Sequence, residues 1–124
     1  MFRKLLLSQL LTVALVAFLD IYLGLNGSYF SKIWWFDIPL HILGGVWAGL
    51  WVATAGEFFS IRLSIWHIVL SVLLIGIGWE VFEYVFDMKG SAFMSYPVDT
   101  AKDLIADCIG GVIAVFITAR LRSR

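Results

Sequence analysis

The sequence predicts an all-α polytopic membrane protein, a bundle of four antiparallel transmembrane helices. Of its 124 residues, 61% are hydrophobic and 15% are charged, a balance too apolar for a soluble domain. Four apolar runs have the length of roughly twenty residues that crosses the hydrocarbon layer, and short connections separate them. The predicted spans cover residues 5–25, 36–55, 65–86 and 100–119. We expect a single integral membrane domain over residues 1–124, with neighbouring spans antiparallel.

The first span follows Arg3 and Lys4, an arrangement that a signal peptide also has. Its apolar run is too long for a signal peptide and no small-x-small cleavage site follows, so we expect a retained helix. Spans two, three and four each contain glycines, which let membrane helices approach closely. These glycines are Gly44, Gly45, Gly76, Gly78, Gly110 and Gly111.

The distribution of lysine and arginine predicts the orientation. Basic residues precede the first span, connect the second to the third, and follow the fourth. They are Arg3, Lys4, Arg62, Arg120, Arg122 and Arg124. The other two connections carry Lys32 and Lys89. By the positive-inside rule, both termini are predicted to be cytoplasmic.

The composition also argues against several classes of function. The formal net charge at pH 7 is +0, so no basic surface for nucleic acid is predicted and we expect no nucleic-acid partner. Cys108 is the single cysteine, which excludes an intrachain disulfide and argues against a cysteine-ligated metal. We expect Cys108 to be a small packing residue.

Seven acidic residues and one histidine lie in the outer half of the predicted bundle. They are Asp20, Asp37, Glu80, Glu83, Asp99, Asp103 and Asp107, with His41. Residues three or four positions apart are neighbours on a helix, so each of spans two, three and four groups its members on one face. An ionised aspartate facing lipid near a helix centre costs roughly 2.5 to 3.5 kcal/mol. We therefore expect these side chains to face one volume inside the bundle.

Few basic residues balance these acids. Lys32, Lys89 and Lys102 lie on the same side, and Lys102 is predicted to be rotated off the aspartate stripe. Either several carboxyls are protonated, as like charges packed together require, or a cation is bound. Carboxylates with one imidazole suit a divalent metal ion such as Mg²⁺, Mn²⁺ or Zn²⁺. The predicted metal ligands are Asp37, His41, Glu80, Asp103 and Asp107.

Helix capping is the competing interpretation for two of the acids. Asp99 with Thr100 can cap the fourth helix, and Asp37, two residues before Pro39, can cap the second. The sequence therefore leaves open whether Asp37 and Asp99 cap their helices or bind the metal ion. Capping does not explain Asp103, which lies inside its helix.

Three segments resemble the motifs of the YjdF-like bacterial inner-membrane proteins, which are similar in turn to the VanZ-like family. The segments are FDIPLHILGG (36–45), GWEVFEY (78–84) and DTAKDLIADCIGG (99–111). In those families an intramembrane His, a Glu pair and an Asp-Thr-x-x-Asp-x-x-x-Asp helix recur. Here they fall on His41, Glu80, Glu83, Asp99, Thr100, Asp103 and Asp107. The resemblance covers spans two to four and implies a location in the bacterial inner membrane.

The sequence leaves three functions open. The first is a metal-dependent hydrolase or transferase that acts on a membrane lipid or polyprenyl phosphate at the outer leaflet. In that enzyme Glu83 or Asp99 is the general base, and the connection over residues 87–98 is a lid.

The second function is a proton- or cation-coupled transporter, since intramembrane acids often mark ion paths. The first span offers a thin polar stripe in the inner half, so a complete path would need a homo-oligomer. That stripe consists of Ser8, Gln9 and Thr12. The third function is a non-enzymatic membrane module with a structural cation site, which acts through a membrane protein partner.

Overall fold

The computed structural model describes residues 1–88 and 93–123, and these ranges contain helices and no strand. In chain order the helices are α1 (Phe2–Ala17, continued by a π-helix over Phe18–Asn26), α2 (Tyr29–Lys32), α3 (Asp37–Phe58), α4 (Ile65–Val85) and α5 (Tyr96–Arg122). All except α2 are long and apolar enough to cross a membrane. The predicted all-α, four-span fold class is therefore confirmed, while the extent of a single membrane domain stays a prediction. Lys89, Arg124 and the middle of the predicted lid lie outside the described residues.

The most extensive contact joins α3 and α5. These helices run parallel, since Gly45 lies against Asp107 and Gly49, one turn later, against Ala114. A Cβ atom built on Gly45 would collide with the backbone carbonyl of Asp107, and one built on Gly110 with the carbonyl of Ile42. The missing side chains therefore let the two backbones touch, as small residues do in membrane helix pairs. In sequence, α4 comes between α3 and α5 and crosses the bundle in the opposite direction. Successive spans are therefore antiparallel, and α3 and α5 point the same way.

The helices α1 and α4 flank this central pair. The side-chain amide of Gln9 on α1 donates a hydrogen bond to the backbone carbonyl of Leu50 on α3, at 3.1 Å. On α4, Val72 lies against Gly111 of α5, while Glu80 bonds to Thr100 nearer the start of α5. From Val72 to Glu80 along α4, the contacted residue on α5 changes from Gly111 back to Thr100, as expected for an antiparallel pair.

Met1 and Ser123, the first and last described residues, lie at one end of the bundle, which we call the terminal end; the opposite end is the distal end. A cluster of buried apolar side chains lies toward the terminal end. It consists of Leu5, Val46, Leu50 and Ala114, with Ile117 and Leu121 packed against it. Arg122 and Glu57 form an ion pair beyond this core. Apolar packing thus occupies the terminal half, and the acids predicted to form the site lie in the distal half.

The helix starts show that the capping interpretation is wrong for both aspartates. The helix α5 begins at Tyr96, with Ser95 in the N-cap position, a full turn before the predicted start. Pro97 favours this earlier start because its fixed φ suits the first turn, where its missing N–H is not needed. The helix α3 begins at Asp37 itself, after Phe36, with no side-chain cap hydrogen bond. Neither aspartate is thus the N-cap residue of its helix, and both carboxylates contact Lys102.

Candidate metal centre

His41, near the start of α3, is surrounded by carboxylates from two helices. Its Nε2 atom lies 3.6 Å from Asp37 Oδ1, one turn earlier on α3, and 3.7 Å from Asp103 Oδ2 on α5. Its Nδ1 atom lies 3.2 Å from Asp107 Oδ1. The parallel packing of α3 and α5 thus brings four of the five predicted ligands together.

The carboxylate of Asp107 determines which imidazole nitrogen of His41 is free. An ionised carboxylate accepts hydrogen bonds and cannot donate them, so the 3.2 Å contact directs the Nδ1 proton toward Asp107. In a neutral imidazole Nε2 then carries a lone pair, which faces Asp37 and Asp103. The ionised carboxylates of Asp37 and Asp103 can only accept hydrogen bonds, as the Nε2 lone pair does. A proton or a metal ion is therefore needed between Nε2 and these carboxylates.

Three of these side chains have the geometry of a metal-binding group. One ligand atom each from Asp37, His41 and Asp103 lies within 4.8 Å of the other two. The Asp103 side chain is 3% exposed and that of His41 is 10% exposed, whereas that of Asp37 is 28% exposed. The group is therefore closed toward the bundle interior and opens on the side of Asp37, at the distal end.

Lys102 contacts the same carboxylates, which corrects the prediction that it is rotated off the aspartate stripe. Its Nζ atom lies 2.7 Å from Asp99 Oδ1, 3.2 Å from Asp103 Oδ1 and 3.4 Å from Asp37 Oδ2. The four-carbon stem reaches around the helix, so the direction of the Cα–Cβ bond does not decide where the ammonium lies. The sequence did contain a signal, because Asp99 and Lys102 have the i, i+3 spacing of a helical ion pair. We call Asp37, His41, Asp99, Lys102, Asp103 and Asp107 together the carboxylate cluster.

Asp103 lies at the centre of this cluster and is incompletely satisfied. Its Oδ2 atom faces His41 and its Oδ1 atom faces Lys102. The contact with Lys102 is an ion pair without hydrogen-bond geometry, and Oδ1 is buried with no hydrogen bond to any described residue. The ammonium of Lys102, 3.2 Å away, therefore compensates the charge of this atom through an ion pair.

Glu80, the fifth predicted ligand, is outside the three-residue group. Its Oε2 atom accepts a hydrogen bond of 2.7 Å from the Thr100 hydroxyl, and its backbone carbonyl accepts one of 3.2 Å from the Tyr96 hydroxyl. Its Oε1 atom is buried without a hydrogen-bond partner in the described part of the chain. Thr100, considered from the sequence only for capping and motif resemblance, thus fixes a buried carboxyl of the neighbouring helix.

The other predicted site residues separate into buried and peripheral positions. Asp99 is buried, and its carboxylate pairs with Lys102. Glu83 is half-buried and accepts a hydrogen bond of 2.8 Å from the indole of Trp79, which is 48% exposed. Asp20 is half-buried on the π-helical part of α1. The two glutamates therefore have different partners: Glu80 is hydrogen-bonded to Thr100 on α5, and Glu83 to Trp79 on its own helix.

The cluster contains more acids than bases. Four carboxylates, those of Asp37, Asp99, Asp103 and Asp107, surround the side chains of His41 and Lys102. Uncompensated charge is costly in a low-dielectric interior. Further positive charge, supplied as protons or as a metal ion, is therefore needed to balance the cluster.

The fold and this site define a four-span membrane protein with a buried carboxylate–histidine cluster at one end of its bundle. The chain belongs to the family described as "Predicted membrane protein (DUF2238)", which matches residues 1–124. This is the family of the YjdF-like proteins, so that resemblance is confirmed, and the match includes α1. The comparisons give no support for a relationship to VanZ-like proteins. No curated protein and no solved structure matches the chain.

Proposed function

We propose that Asp37, His41 and Asp103 bind a divalent cation and that the protein uses it to act on the phosphate of a membrane lipid or polyprenyl phosphate. The observation that carries the proposal is the convergence of three ligand atoms from two helices within 4.8 Å. A mixed set of two carboxylates and one imidazole suits Mg²⁺, Mn²⁺ or Zn²⁺.

Asp107 supports the metal site indirectly. Histidines that bind metals donate their other ring N–H to a carboxylate or carbonyl, which fixes the tautomer and the ring orientation. The contact between His41 Nδ1 and Asp107 Oδ1 has this arrangement. We therefore assign Asp107 to the orientation of His41 and not to direct coordination, and we leave Glu80 outside the ligand set.

The number of ligands favours a catalytic site over a structural one. Structural sites are fully coordinated by protein, whereas catalytic sites keep an open position. Three protein ligands and the exposure of Asp37 leave such a position on the distal side. A bound divalent ion would polarise a phosphate oxygen and hold a water molecule next to it.

The proposed reaction is hydrolysis of a phosphate monoester. The water oxygen forms a bond to phosphorus, the ester P–O bond breaks, and the departing lipid oxygen takes up a proton, so that an alcohol and inorganic phosphate result. Of the two predicted general bases, Asp99 has more support because Lys102 links it to Asp37 and Asp103. Glu83 is bound to Trp79 at the periphery.

A transport path through one chain has less support. The terminal half of the bundle is packed with apolar side chains, and Leu5, Leu50 and Ala114 are each 0% exposed. Gln9, the buried polar residue of α1 at this depth, is bonded to Leu50 and Thr54. A path would therefore need a second copy of the chain or a membrane protein partner.

We expect the purified wild-type protein to retain a divalent metal and to release inorganic phosphate from a polyprenyl phosphate in detergent micelles. Asp103→Asn removes the most buried ligand, so we expect it to lower metal affinity more than about 100-fold and to abolish phosphate release. Asp107→Asn removes an orienting contact, for which a loss of about 10- to 100-fold in affinity is typical. The measurements are metal content by inductively coupled plasma mass spectrometry, metal titration, and colorimetric phosphate assay.

Glu57→Gln is the matched control, because it makes the same kind of change at the terminal end, far from His41. Metal retention without phosphate release would remove the enzymatic part of the proposal and leave a structural site. Equal metal binding by wild type and Asp103→Asn would contradict the site itself.

We also propose that the membrane is the bacterial inner membrane, with both termini in the cytoplasm. The basic residues Arg3, Lys4, Arg62, Arg120 and Arg122 all lie at the terminal end, and the positive-inside rule places such an end in the cytoplasm. Fusions of green fluorescent protein to either terminus should fluoresce, and fusions of alkaline phosphatase there should be inactive. Active phosphatase at either terminus would contradict this orientation.

A further inference from the structure

The second polar feature of the molecule is a cleft at the terminal end, opposite the carboxylate cluster and independent of any metal there. It has a volume of about 580 Å³ and lies between the end of α3, the connection to α4 and the last turn of α5. Its polar lining comes from Glu57, Ser60, Arg62 and Arg122. Two arginine side chains therefore line one concave surface.

The two arginines differ in how they are held. The Nε and Nη2 atoms of Arg122 donate to Glu57 Oε1, at 3.0 and 2.6 Å, so this ion pair orients the guanidinium beside the cleft. Arg62 is exposed and makes no hydrogen bond or ion pair with any described residue. Glu57 neutralises one arginine, which leaves the charge of Arg62 uncompensated within the cleft.

The start of α4 follows the cleft residues directly in sequence, although no residue of α4 lines the cleft. The helix begins at Ile65, directly beyond the cleft residues Arg62 and Leu63, and it is 21 residues long. The N-terminus of a helix carries a partial positive charge and favours anions. The hydroxyl of the N-cap residue Ser64 lies 2.7 Å from His67 Nδ1, which fixes the connection at this point.

Exposed apolar side chains flank the cleft residues in sequence, and one of them, Ile61, lines the cleft. Phe58 is 70% exposed, Phe59 66%, Ile61 56% and Trp66 70%. In a protein that spans a membrane, aromatic side chains near the helix ends lie at the interface between hydrocarbon and water. The cleft thus places guanidinium groups next to a surface that hydrocarbon chains can cover.

From these observations we infer that the cleft binds a phosphate group through Arg62 and Arg122, carried either by a lipid headgroup or by a free phosphate. The planar guanidinium fork matches phosphate oxygens with two parallel hydrogen bonds. Basic pockets between membrane helices are suited to anionic headgroups. Glu57 has a positioning role, since it holds Arg122 at the edge of the cleft without filling it.

The test is calorimetric titration of the full-length protein in maltoside detergent with two probes, dioctanoyl phosphatidylglycerol and inorganic phosphate. Arg62→Gln removes a charge that has no partner in the described chain, so it should not disturb the fold, and thermal unfolding checks this. We expect at least about tenfold weaker binding in this variant, the effect of one lost charge-assisted contact. Arg120→Gln is the matched control, because it removes one arginine from the same end, outside the cleft.

Saturable binding of the lipid alone, weakened in Arg62→Gln and retained in Arg120→Gln, would identify a lipid headgroup as the ligand. The same pattern with inorganic phosphate would identify a free phosphate. Equal weakening in both variants would attribute binding to diffuse charge and overturn the inference. Absence of binding by the wild-type protein to either probe would overturn it as well.

Discussion

Replacement of Gly45 by alanine is expected to lower the free energy of unfolding by about 3 kcal/mol, near the upper end of the range for overpacked positions. The added Cβ atom would overlap the backbone carbonyl, carbon and Cα of Asp107. Backbone atoms cannot rotate away as a flexible side chain can, so α3 and α5 would have to separate. Because His41 and Asp103 lie on these two helices, metal affinity should fall together with stability. Denaturant unfolding in mixed micelles and metal titration measure the two effects.

The neighbouring residue supplies the control. A Cβ atom on Gly44 meets nothing within 4 Å, and alanine is favoured over glycine inside a helix by roughly 0.5 to 1 kcal/mol. Gly44→Ala should therefore be neutral or slightly stabilising. A loss of stability equal to that of Gly45→Ala would mean that the contact between α3 and α5 is not as close as described above.

The comparison of these two glycines marks a limit of the sequence analysis. The Gly-Gly pair indicates that some helix approaches α3, but helical periodicity alone does not say which of two adjacent residues faces the partner. The direct contact between α3 and α5 was also outside the reach of the sequence analysis, because the distribution of lysine and arginine predicts the direction of each span but not which spans touch. The length of the apolar runs and the composition were sufficient to predict the class of fold.

More of the candidate site than of the helix packing could be predicted from the sequence. The requirement that acids avoid lipid correctly indicated that Asp99, Asp103 and Asp107 are buried on one stripe. The same argument failed to separate Glu80 from Glu83, since both satisfy an i, i+3 spacing. The direction of each side chain depends on the presence of Thr100 on α5 and of Trp79 on α4, which no pattern within span three reveals.

Lys102 was misplaced for a different reason. Its backbone position points away from the aspartate stripe, but its long side chain ends among Asp37, Asp99 and Asp103. A position on a helical wheel locates the Cβ atom, whereas an ammonium group four carbons away goes where charge attracts it. The charged groups of lysine and arginine therefore need to be located from the length of the side chain. By this criterion, Lys102 supplies a positive charge within the carboxylate cluster.

Replacement of Lys102 by methionine is accordingly expected to destabilise the metal-free protein by about 2 to 3 kcal/mol, less than the cost of breaking a fully buried ion pair, because the Lys102 side chain is 16% exposed. Methionine keeps much of the volume of the side chain, so the change is mainly one of charge. Because a divalent ion can replace the missing charge, we expect added Mn²⁺ to restore more stability to Lys102→Met than to the wild type. Denaturant unfolding with and without Mn²⁺ measures both effects.

Arg122→Met breaks an ion pair of the same kind at an exposed position, where the Arg122 side chain is 45% exposed. Such pairs contribute about 0 to 1 kcal/mol, so the control should lose little stability and show no added response to Mn²⁺. Lys102→Arg keeps the charge and should lie between the wild type and Lys102→Met. If Lys102→Met were as stable as Arg122→Met, the carboxylates around it would not need its charge, and protons would already balance the cluster. That result would remove the electrostatic argument for a bound metal ion and leave the geometry of Asp37, His41 and Asp103 as its sole support.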